Sequence, residues 1–346
     1  MEHEIRYRMP AEWERQRAVM LTWPHANTDW QPYLDDINRT MTEVAKAIAH
    51  HEDVLIVAPF ESDVPEEVRQ LENVYVFNCP TDDTWSRDHG PVTLLGGEKP
   101  LWLDFQFNGW GKKFPADYDN CITSKLWSLT SFFDEVDYEN HNDFVLEGGS
   151  IESDGKGTIF TTSCCLLAPN RNQRPVESHG DGRDAKEVGN AYQPLTQAEI
   201  ELELKRRLRA ERIVWLNTKP LPGDDTDGHI DTLLRCAPND TLLYVPQLEE
   251  EVSRLRTLDG KPYRLITLPT PHPIIEDGEQ LPATYANFLI INGAVIMPTY
   301  GQPEHDNEAV RLIGEAFPEC NIIPIDSRTI IRQHGSIHCM TMQIYK

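Results

Sequence analysis

The sequence has no apolar run that approaches the ~18–20 residues a membrane-spanning helix needs. Its first residues are polar and lack the apolar segment of a signal peptide. The seven cysteines are an odd number and form no Cys-x-x-Cys pair, which argues against a disulfide framework and a thiolate zinc site. These absences predict a cytoplasmic protein whose cysteines fill the core or take part in chemistry.

Basic residues are also scarce, with 32 lysines and arginines against 56 aspartates and glutamates and a formal net charge of −24. Such a surface repels nucleic acid and anionic membranes and favours small cations, although it also serves solubility alone. The chain has no glycine-rich nucleotide-binding loop, so we expect no organic cofactor. No linker or low-complexity tract interrupts it, and we interpret 1–346 as a single domain.

A strand, an amphipathic helix and a second strand recur along the chain at uneven spacing. In the first unit, strands at 18–23 and 53–58 flank a helix that begins near Pro32. Further units are predicted over 91–139, 143–216, 232–268 and 287–325, before a final alternating strand at 337–344. One unit cannot bury its own apolar faces, so five such units predict an α/β fold closed into a five-bladed propeller-like array.

The third unit contains a helix start and a long loop. Thr196 is followed three residues later by Glu199, which fits a capping box and predicts that the helix begins there. The preceding stretch, 169–195, is rich in proline, asparagine, glycine and charge. We interpret it as a surface loop, and loops of this length often act as functional lids.

The first chemically rich segment covers residues 81–91 and follows a predicted strand. It carries acids that include Asp88, together with Trp85. A carboxylate beside an aromatic face can hold a flat cation through charge-assisted hydrogen bonds and cation–π contact. An acidic surface turn with one anchoring tryptophan is an equally good interpretation of this segment alone.

Two further segments combine acids with glycine or histidine. Glu147 leaves an apolar strand before two glycines, which allow close approach of a ligand, and it needs a cationic partner unless its pKa is raised. His229 and Asp231 share one face if 229–231 is extended, and that pairing suits acid–base work, cation binding or metal ligation. A hairpin turn and a strand-end cap are the ordinary alternatives.

Cys339 lies within the predicted final strand, on the face of Ile337 and Thr341. His338 then points the other way, so we do not expect it to act as the base of Cys339. A cysteine in a strand is usually an inert core residue.

Together these segments resemble the agmatine deiminases of the bacterial peptidylarginine-deiminase type. The resemblance covers nearly the whole chain. It includes Pro-Ala-Glu-Trp at 10–13 and Phe-Asn-Gly-Trp-Gly at 107–111. The segments that carry it, in order, are Asp-Asp-Thr-Trp-Ser-Arg-Asp-His-Gly-Pro, Glu-Gly-Gly, Gly-His-Ile-Asp and Ile-His-Cys.

This resemblance implies a five-bladed pseudosymmetric α/β propeller, the pentein fold, with the site on its central axis. It also implies that Cys339 attacks the guanidinium carbon and that His229 protonates departing ammonia and later activates water. Asp88 and Asp231 would clamp guanidinium nitrogens, and Glu147 would hold a further nitrogen and assist proton transfer.

By the same resemblance, Trp85 and Trp110 would form walls beside the alkyl chain of the substrate. Agmatine would give N-carbamoylputrescine and ammonia, in putrescine synthesis or in arginine and agmatine catabolism. No metal and no cofactor are implied. A homodimer is expected only because dimers are common.

The chain departs from the family pattern at His334-Gly335-Ser336, Lys112-Lys113 and Met342, and in the length of 169–195. These differences leave the distal end of the substrate open, so arginine and peptidyl-arginine are alternatives to agmatine.

Three other functions share some of these residues. An amidinotransferase would share the covalent step. A metal-dependent hydrolase could draw ligands from the histidines and acids, including His89 and His338. A polyamine-binding protein would need no thiol, which argues against that class.

Overall fold

The computed structural model describes residues 7–129, 135–175 and 192–346. The middle of the predicted loop at 169–195 and the end of the helix predicted near 117–133 lie outside these ranges. Among the residues described, no helix is both long and apolar enough to cross a membrane.

The described residues form five sheets of three or four strands that share one pattern: a central strand with an antiparallel neighbour on one side and a parallel neighbour on the other. The first sheet contains, in order, Thr341–Tyr345, Gln16–Thr22, Asp53–Ala58 and Val74–Asn78. The second contains Val92–Leu94, Leu101–Gln106 and Asp137–Val145. The third contains Glu152–Ser153, Thr158–Thr162 and Arg212–Leu216.

The remaining two sheets repeat the pattern. The fourth contains Leu234–Ala237, Thr241–Tyr244 and Arg264–Thr267. The fifth contains Leu289–Ile291, Ala294–Thr299 and Asn321–Asp326. Two further antiparallel strand pairs lie outside these sheets. One pairs Gln173–Pro175 with Tyr192–Pro194, and the other pairs Ile274–Glu276 with Glu279–Leu281.

A helix connects the central strand to its parallel neighbour in each sheet, because two parallel strands cannot be joined by a tight turn. These connecting helices, in chain order, are Leu34–Ala49, Ile122–Leu129, Gln197–Leu208, Glu249–Val252 and Pro303–Ala316. Short helical turns occur at Glu66–Arg69, Ser86–His89, Gly109–Lys112 and Ser163–Leu166.

The first helix shows why the sequence folds in this way. Its buried side chains recur at helical spacing and include the predicted stripe Ile37, Met41, Val44 and Ile48. This stripe packs with the buried residues of the first sheet. Thr196 is the N-cap of the connecting helix Gln197–Leu208. Its side chain accepts a hydrogen bond from the Glu199 amide, while the Glu199 side chain accepts one from the Thr196 amide. The predicted capping box is therefore confirmed.

The last strand of the chain pairs with the first, since Thr341–Tyr345 lies antiparallel to Gln16–Thr22. We call the antiparallel neighbour of each central strand the leading strand of its sheet. The leading strand of the first sheet thus comes from the opposite end of the chain. In the other four sheets the leading strand directly precedes its central strand.

Near the site, the extended conformation considered for 229–231 does not occur, and the predicted start of the final strand was wrong. Residues Ile230–Thr232 form a 3₁₀ turn, closed by the Leu233 amide on the Ile230 carbonyl, so 229–231 is not extended. The final strand begins at Thr341 rather than at 337. Cys339 lies in the preceding turn, where the Thr341 hydroxyl bonds the carbonyls of Ile337 and His338.

Candidate active site

The candidate residues come from equivalent places in the five sheets. Each antiparallel leading strand is preceded by a turn, and a polar or reactive side chain lies in each of these turns. These residues, in chain order, are Asp88, Glu147, Asp231, Asn287 and Cys339. Four of them were predicted from the sequence; Asn287 was not.

Asp88 is held by donors from two other segments. Its Oδ1 accepts from the Gly149 amide at 2.9 Å, and its Oδ2 accepts from Trp110 Nε1 at 2.9 Å. Trp110 reaches this position with a φ of 52°, between two glycines that also have positive φ. The Asp88 carboxylate is therefore buried and fixed in orientation.

Gly149 brings the backbone against three of the candidate side chains. A Cβ atom built at this residue would lie 2.6 Å from His229 Nδ1, 2.9 Å from Asp88 Oδ1 and 3.1 Å from Asp231 Oδ2. His229 Nδ1 is itself 3.7 Å from Asp88 Oδ1. The Glu-Gly-Gly segment thus serves close approach, as the sequence indicated.

Glu147 has a cationic partner, Arg171, which sequence reasoning missed. Arg171 Nε donates to Glu147 Oε1 at 2.6 Å, and both side chains are fully buried. Arg171 also bonds the Thr226 carbonyl and the Asp227 carboxylate, so it ties the Glu147 turn to the His229 turn. The only sequence signal for this role was a charged residue at the start of a segment interpreted as a surface loop.

Several buried polar atoms point at no protein partner. Within 7–129, 135–175 and 192–346, no hydrogen-bond partner is found for either ring nitrogen of His229, for Glu147 Oε2 or for Asp231 Oδ1. Leaving such atoms unpaired in a protein interior costs ~1–3 kcal/mol each. A polar ligand with several N–H donors would satisfy the two carboxylate oxygens together.

Cys339 is buried beside one amide and one carboxylate. Its Sγ lies 3.4 Å from Asn287 Oδ1 and 3.7 Å from Asp231 Oδ2, and its amide donates to Asn287 Oδ1 at 3.3 Å. Asn287 therefore fixes the position of the thiol. Its signal in the sequence was positional, since it stands before a leading strand as the four predicted residues do.

The charges of the site shift its pKa values in a consistent way. Burial, followed by the charges of Asp231 and Asp88, raises the pKa of Cys339 well above its ordinary range. Burial, opposed by the charge of His229, raises the pKa of Asp88 to about 6. Burial lowers the pKa of His229, but the carboxylates of Asp88, Glu147 and Asp231 together outweigh it and the net shift is upward. These shifts favour a protonated histidine and a protonated thiol.

A cavity of about 320 Å³ opens onto these groups. Trp85, Asp88, Trp110 and Cys339 are among its lining residues, whereas His229, Glu147 and Asp231 are fully buried. A larger cavity of about 670 Å³ lies elsewhere, around Gln16, Glu52 and Asn292, and contains none of the predicted residues. We assign the site to the smaller cavity because the reactive groups converge there.

Two of the histidines that the sequence left open as metal ligands are bonded to protein groups instead. His89 Nε2 bonds the Thr22 hydroxyl, and His338 lies between the carboxylates of Glu12 and Asp231. A different set, Glu147, Cys165 and His229, has ligand atoms within 4.8 Å of one another. The Arg171 guanidinium bonded to Glu147 opposes a second cation at that place.

Comparisons with known proteins agree with this arrangement. The Porphyromonas-type peptidyl-arginine deiminase family matches residues 8–179 and 189–344. The agmatine deiminase of Pseudomonas aeruginosa is 32% identical, over 97% of this chain and 95% of that protein. A cysteine-to-serine variant of the C. jejuni agmatine deiminase, solved with substrate bound, is 34% identical with a TM-score of 0.84, over 98% of this chain and 96% of that chain.

A more distant likeness concerns the fold alone. A dimethylarginine dimethylaminohydrolase structure superposes with a TM-score of 0.51 at 14% identity, over 95% of this chain and 100% of that chain. The match over nearly the whole length, with the converging residues described above, confirms the resemblance found in the sequence: the chain belongs to the Porphyromonas-type peptidyl-arginine deiminase family.

Proposed function

We propose that this protein hydrolyses agmatine to N-carbamoylputrescine and ammonia, with Cys339 as the nucleophile. The observation that carries the proposal is the convergence of a buried thiol, a buried histidine and three carboxylates, of which Cys339 and Asp88 line the cavity. A planar guanidinium has several N–H donors, and the unpaired oxygens Glu147 Oε2 and Asp231 Oδ1 are acceptors suited to them.

The first half of the reaction releases ammonia. Asp88, Asp231 and Glu147 hold the guanidinium, the Cys339 thiol releases its proton to solvent, and the sulfur of the resulting thiolate forms a bond to the central carbon of the guanidinium. The protonated imidazole of His229 donates its proton to one departing nitrogen, the carbon–nitrogen bond breaks, and ammonia leaves. An amidino-cysteine remains on the enzyme.

The second half restores the enzyme. His229, now neutral, takes a proton from a water molecule as the water oxygen bonds the amidino carbon. The carbon–sulfur bond then breaks, Cys339 leaves as thiolate and takes up the remaining hydroxyl proton, and the carbon retains the oxygen as the carbonyl of a ureido group. One water is consumed and one ammonia is released for each substrate.

The lining of the cavity supports agmatine over free arginine. It includes Asp29, Asp83 and Asp225 beside His334, and the described lining residues include no lysine or arginine. The terminal ammonium of agmatine is attracted by these acids, whereas the α-carboxylate of arginine would be repelled by them. Hydrolysis of the product would give putrescine, so the reaction would serve polyamine synthesis or agmatine breakdown.

We further infer that the chain is one domain over 1–346 and that the five sheets are the blades of a pseudosymmetric propeller, the pentein fold. Two observations support this. The sheets share one strand pattern, and a site residue precedes the leading strand of each. The pairing of the last strand with the first would close the ring.

The test is release of ammonia and ureido product from agmatine and from arginine in metal-free buffer. We expect turnover of agmatine by the wild type and loss of at least a thousandfold in Cys339→Ser, with Cys320→Ser as the matched control. Turnover of arginine alone would replace the substrate, and full activity in Cys339→Ser would exclude the thiol mechanism.

A further inference from the structure

Glu12 lies in the N-terminal Pro-Ala-Glu-Trp segment, and the mechanism above assigns it no role. The residue is distant in sequence from the residues of the candidate site, yet it is buried. Its Oε1 lies 2.8 Å from His338 Nε2, and its Oε2 accepts from Gln343 Nε2 at 2.9 Å and from Arg235. A buried acid with this many partners is a built feature rather than a surface charge.

His338 connects Glu12 to the site. Its Nδ1 lies 2.7 Å from Asp231 Oδ2, so the two ring nitrogens face two different carboxylates. Each of these hydrogen bonds contains one proton, so His338, Glu12 and Asp231 share two protons. The ring cannot flip or swing away without losing both hydrogen bonds.

The two carboxylate oxygens of Asp231 therefore have different roles: one binds His338 and the other is available to the substrate. Its Oδ2 takes the His338 bond and lies 3.7 Å from Cys339 Sγ, while its Oδ1 has no partner among the residues described. Burial raises the pKa of Asp231, but the hydrogen bond from His338, together with the charges of His338, His229 and Arg235, outweighs burial, and the net pKa is lowered.

The remaining neighbours are buried charged groups. Glu12, Glu152 and Asp231 face Arg87 and Arg235, and the His338 ring, whose pKa is lowered by burial and by the charges of Arg235 and Arg87, lies between Glu12 and Asp231. Breaking one member of such a buried network leaves an unpaired charge, which costs more than a lost surface contact. The network therefore fixes His338 through its Nε2 atom, on the side of the ring that faces Glu12.

We propose that His338 and Glu12 are positioning residues for the deiminase reaction: Glu12 fixes the His338 ring, and the ring holds Asp231 with its free oxygen directed at the substrate guanidinium. The proposal rests on the proposed function for the identity of the ligand. The arrangement of Asp231 that it describes does not depend on that identity.

A matched pair of substitutions at His338 distinguishes loss of the hydrogen bond to Asp231 from loss of the imidazole ring itself. Asparagine can place its amide N–H near the Nδ1 position and keep the bond to Asp231, whereas the longer glutamine side chain reaches towards the Nε2 position and Glu12. We expect His338→Gln to lower kcat/KM at least 30-fold, chiefly through KM, and His338→Asn to stay within about fivefold of the wild type. Equal losses in the two variants would overturn the proposal.

The pH profile supplies a readout that a structural role would not move. Asp231 loses an N–H donor in His338→Gln, so its pKa rises and the acidic limb of kcat/KM should move at least one pH unit upward. His338→Asn should leave the limb in place. Asp88, His229, Arg235 and Cys339 also face Asp231, and because they are common to both variants their effects cancel in the comparison.

Glu12→Gln tests the outer member of the pair. We expect it to lower kcat/KM in the presence of His338 and to have no further effect in His338→Asn, where the connection is already cut. Additive losses would show that Glu12 acts independently of His338. Thermal unfolding of each variant identifies any that fail to fold, and the His338 pair then decides.

Failure of the proposed function would be visible separately. If the wild type hydrolyses no guanidine, crystal structures of the two His338 variants without ligand still test the arrangement. Asp231 should keep its rotamer in His338→Asn and turn away in His338→Gln; an unchanged rotamer in both would overturn the proposal.

Discussion

Gly149 has no room for a side chain, because a Cβ atom there would lie 2.6 Å from His229 Nδ1 and 2.9 Å from Asp88 Oδ1. Its φ is not in the left-handed region, so the requirement is space and not backbone strain. We expect Gly149→Ala to fold and to lower kcat/KM at least a hundredfold, since it displaces the histidine and the carboxylate together.

Gly314 offers the matched control for that substitution. It lies in the helix Pro303–Ala316, and an added Cβ would meet only Ile322 at 3.8 Å. Gly314→Ala should keep full activity and stabilise the protein by about 0.5–1 kcal/mol, the usual difference between glycine and alanine in a helix. Wild-type activity in Gly149→Ala would contradict the site geometry.

The thiol of Cys339 should respond to the substrate itself. Its pKa is raised by burial and by the charges of Asp231 and Asp88, so at neutral pH the thiolate fraction of the free protein is small. A bound guanidinium between the carboxylates offsets their charge and removes part of that shift. We therefore expect the thiol pKa to fall when a cation binds.

The measurement is thiolate absorbance against pH, as the difference between the wild type and Cys339→Ser. It is made with and without an alkylguanidinium inhibitor that is not hydrolysed. A matched neutral alkylurea should leave the titration unchanged. No downward shift with the cation would mean that the thiol is activated by some other route.

The predicted residues and the missed residues differ in what identifies them. Asp88, Glu147, His229, Asp231 and Cys339 stand in short segments with unusual composition, which single-sequence reasoning can detect. Asn287 and Arg171 stand in ordinary surroundings, and only their contacts with Cys339 and Glu147 reveal them. Such contacts join residues that are far apart in sequence, so composition carries no trace of them.

Among the elements, the helices with a clear apolar stripe were predicted best, and the turns before the leading strands worst. The helix at Leu34–Ala49 has its predicted buried face, because a period of 3.6 residues is repeated over four turns. The segments at 229–231 and 337–340 alternate like strands but close into turns through local hydrogen bonds. Period alone cannot distinguish the two over so few residues.

The capping box at Thr196 provides a test of stability that does not involve the site. Its side chain accepts from the Glu199 amide at the start of the helix Gln197–Leu208. Thr196→Ala should lower the free energy of unfolding by about 1 kcal/mol and leave kcat/KM unchanged, as measured by denaturant unfolding and by ammonia release. Thr218→Ala, in an exposed loop, is the control.

Over the whole molecule, the repeated sheet pattern explains how a site can be built from segments spread across 250 residues of sequence, from Asp88 to Cys339. Each unit contributes one turn at the same point, so the units need only pack in order for the turns to meet. The sequence predicted five units, and the described residues contain five sheets of one pattern. The bounds of single strands were less predictable because pairing partners, which lie in other segments, decide where each strand ends.

The net charge of −24 acts at this scale on the approach of the substrate. Agmatine carries two positive charges, and a negative field around a cavity raises the local concentration of cations and the rate of association. The field of exposed charges is screened by salt, with a Debye length of about 10 Å at 0.1 M. We expect kcat/KM for agmatine to fall several-fold between low salt and about 0.5 M, with kcat nearly constant, because the chemical step takes place among buried groups that salt reaches poorly. Butylguanidine, which has the same guanidinium and no terminal ammonium, should show a shallower dependence in the same steady-state assay. An equal dependence of kcat/KM on salt for the two compounds would mean that the lining acids Asp29, Asp83 and Asp225 do not attract the terminal ammonium.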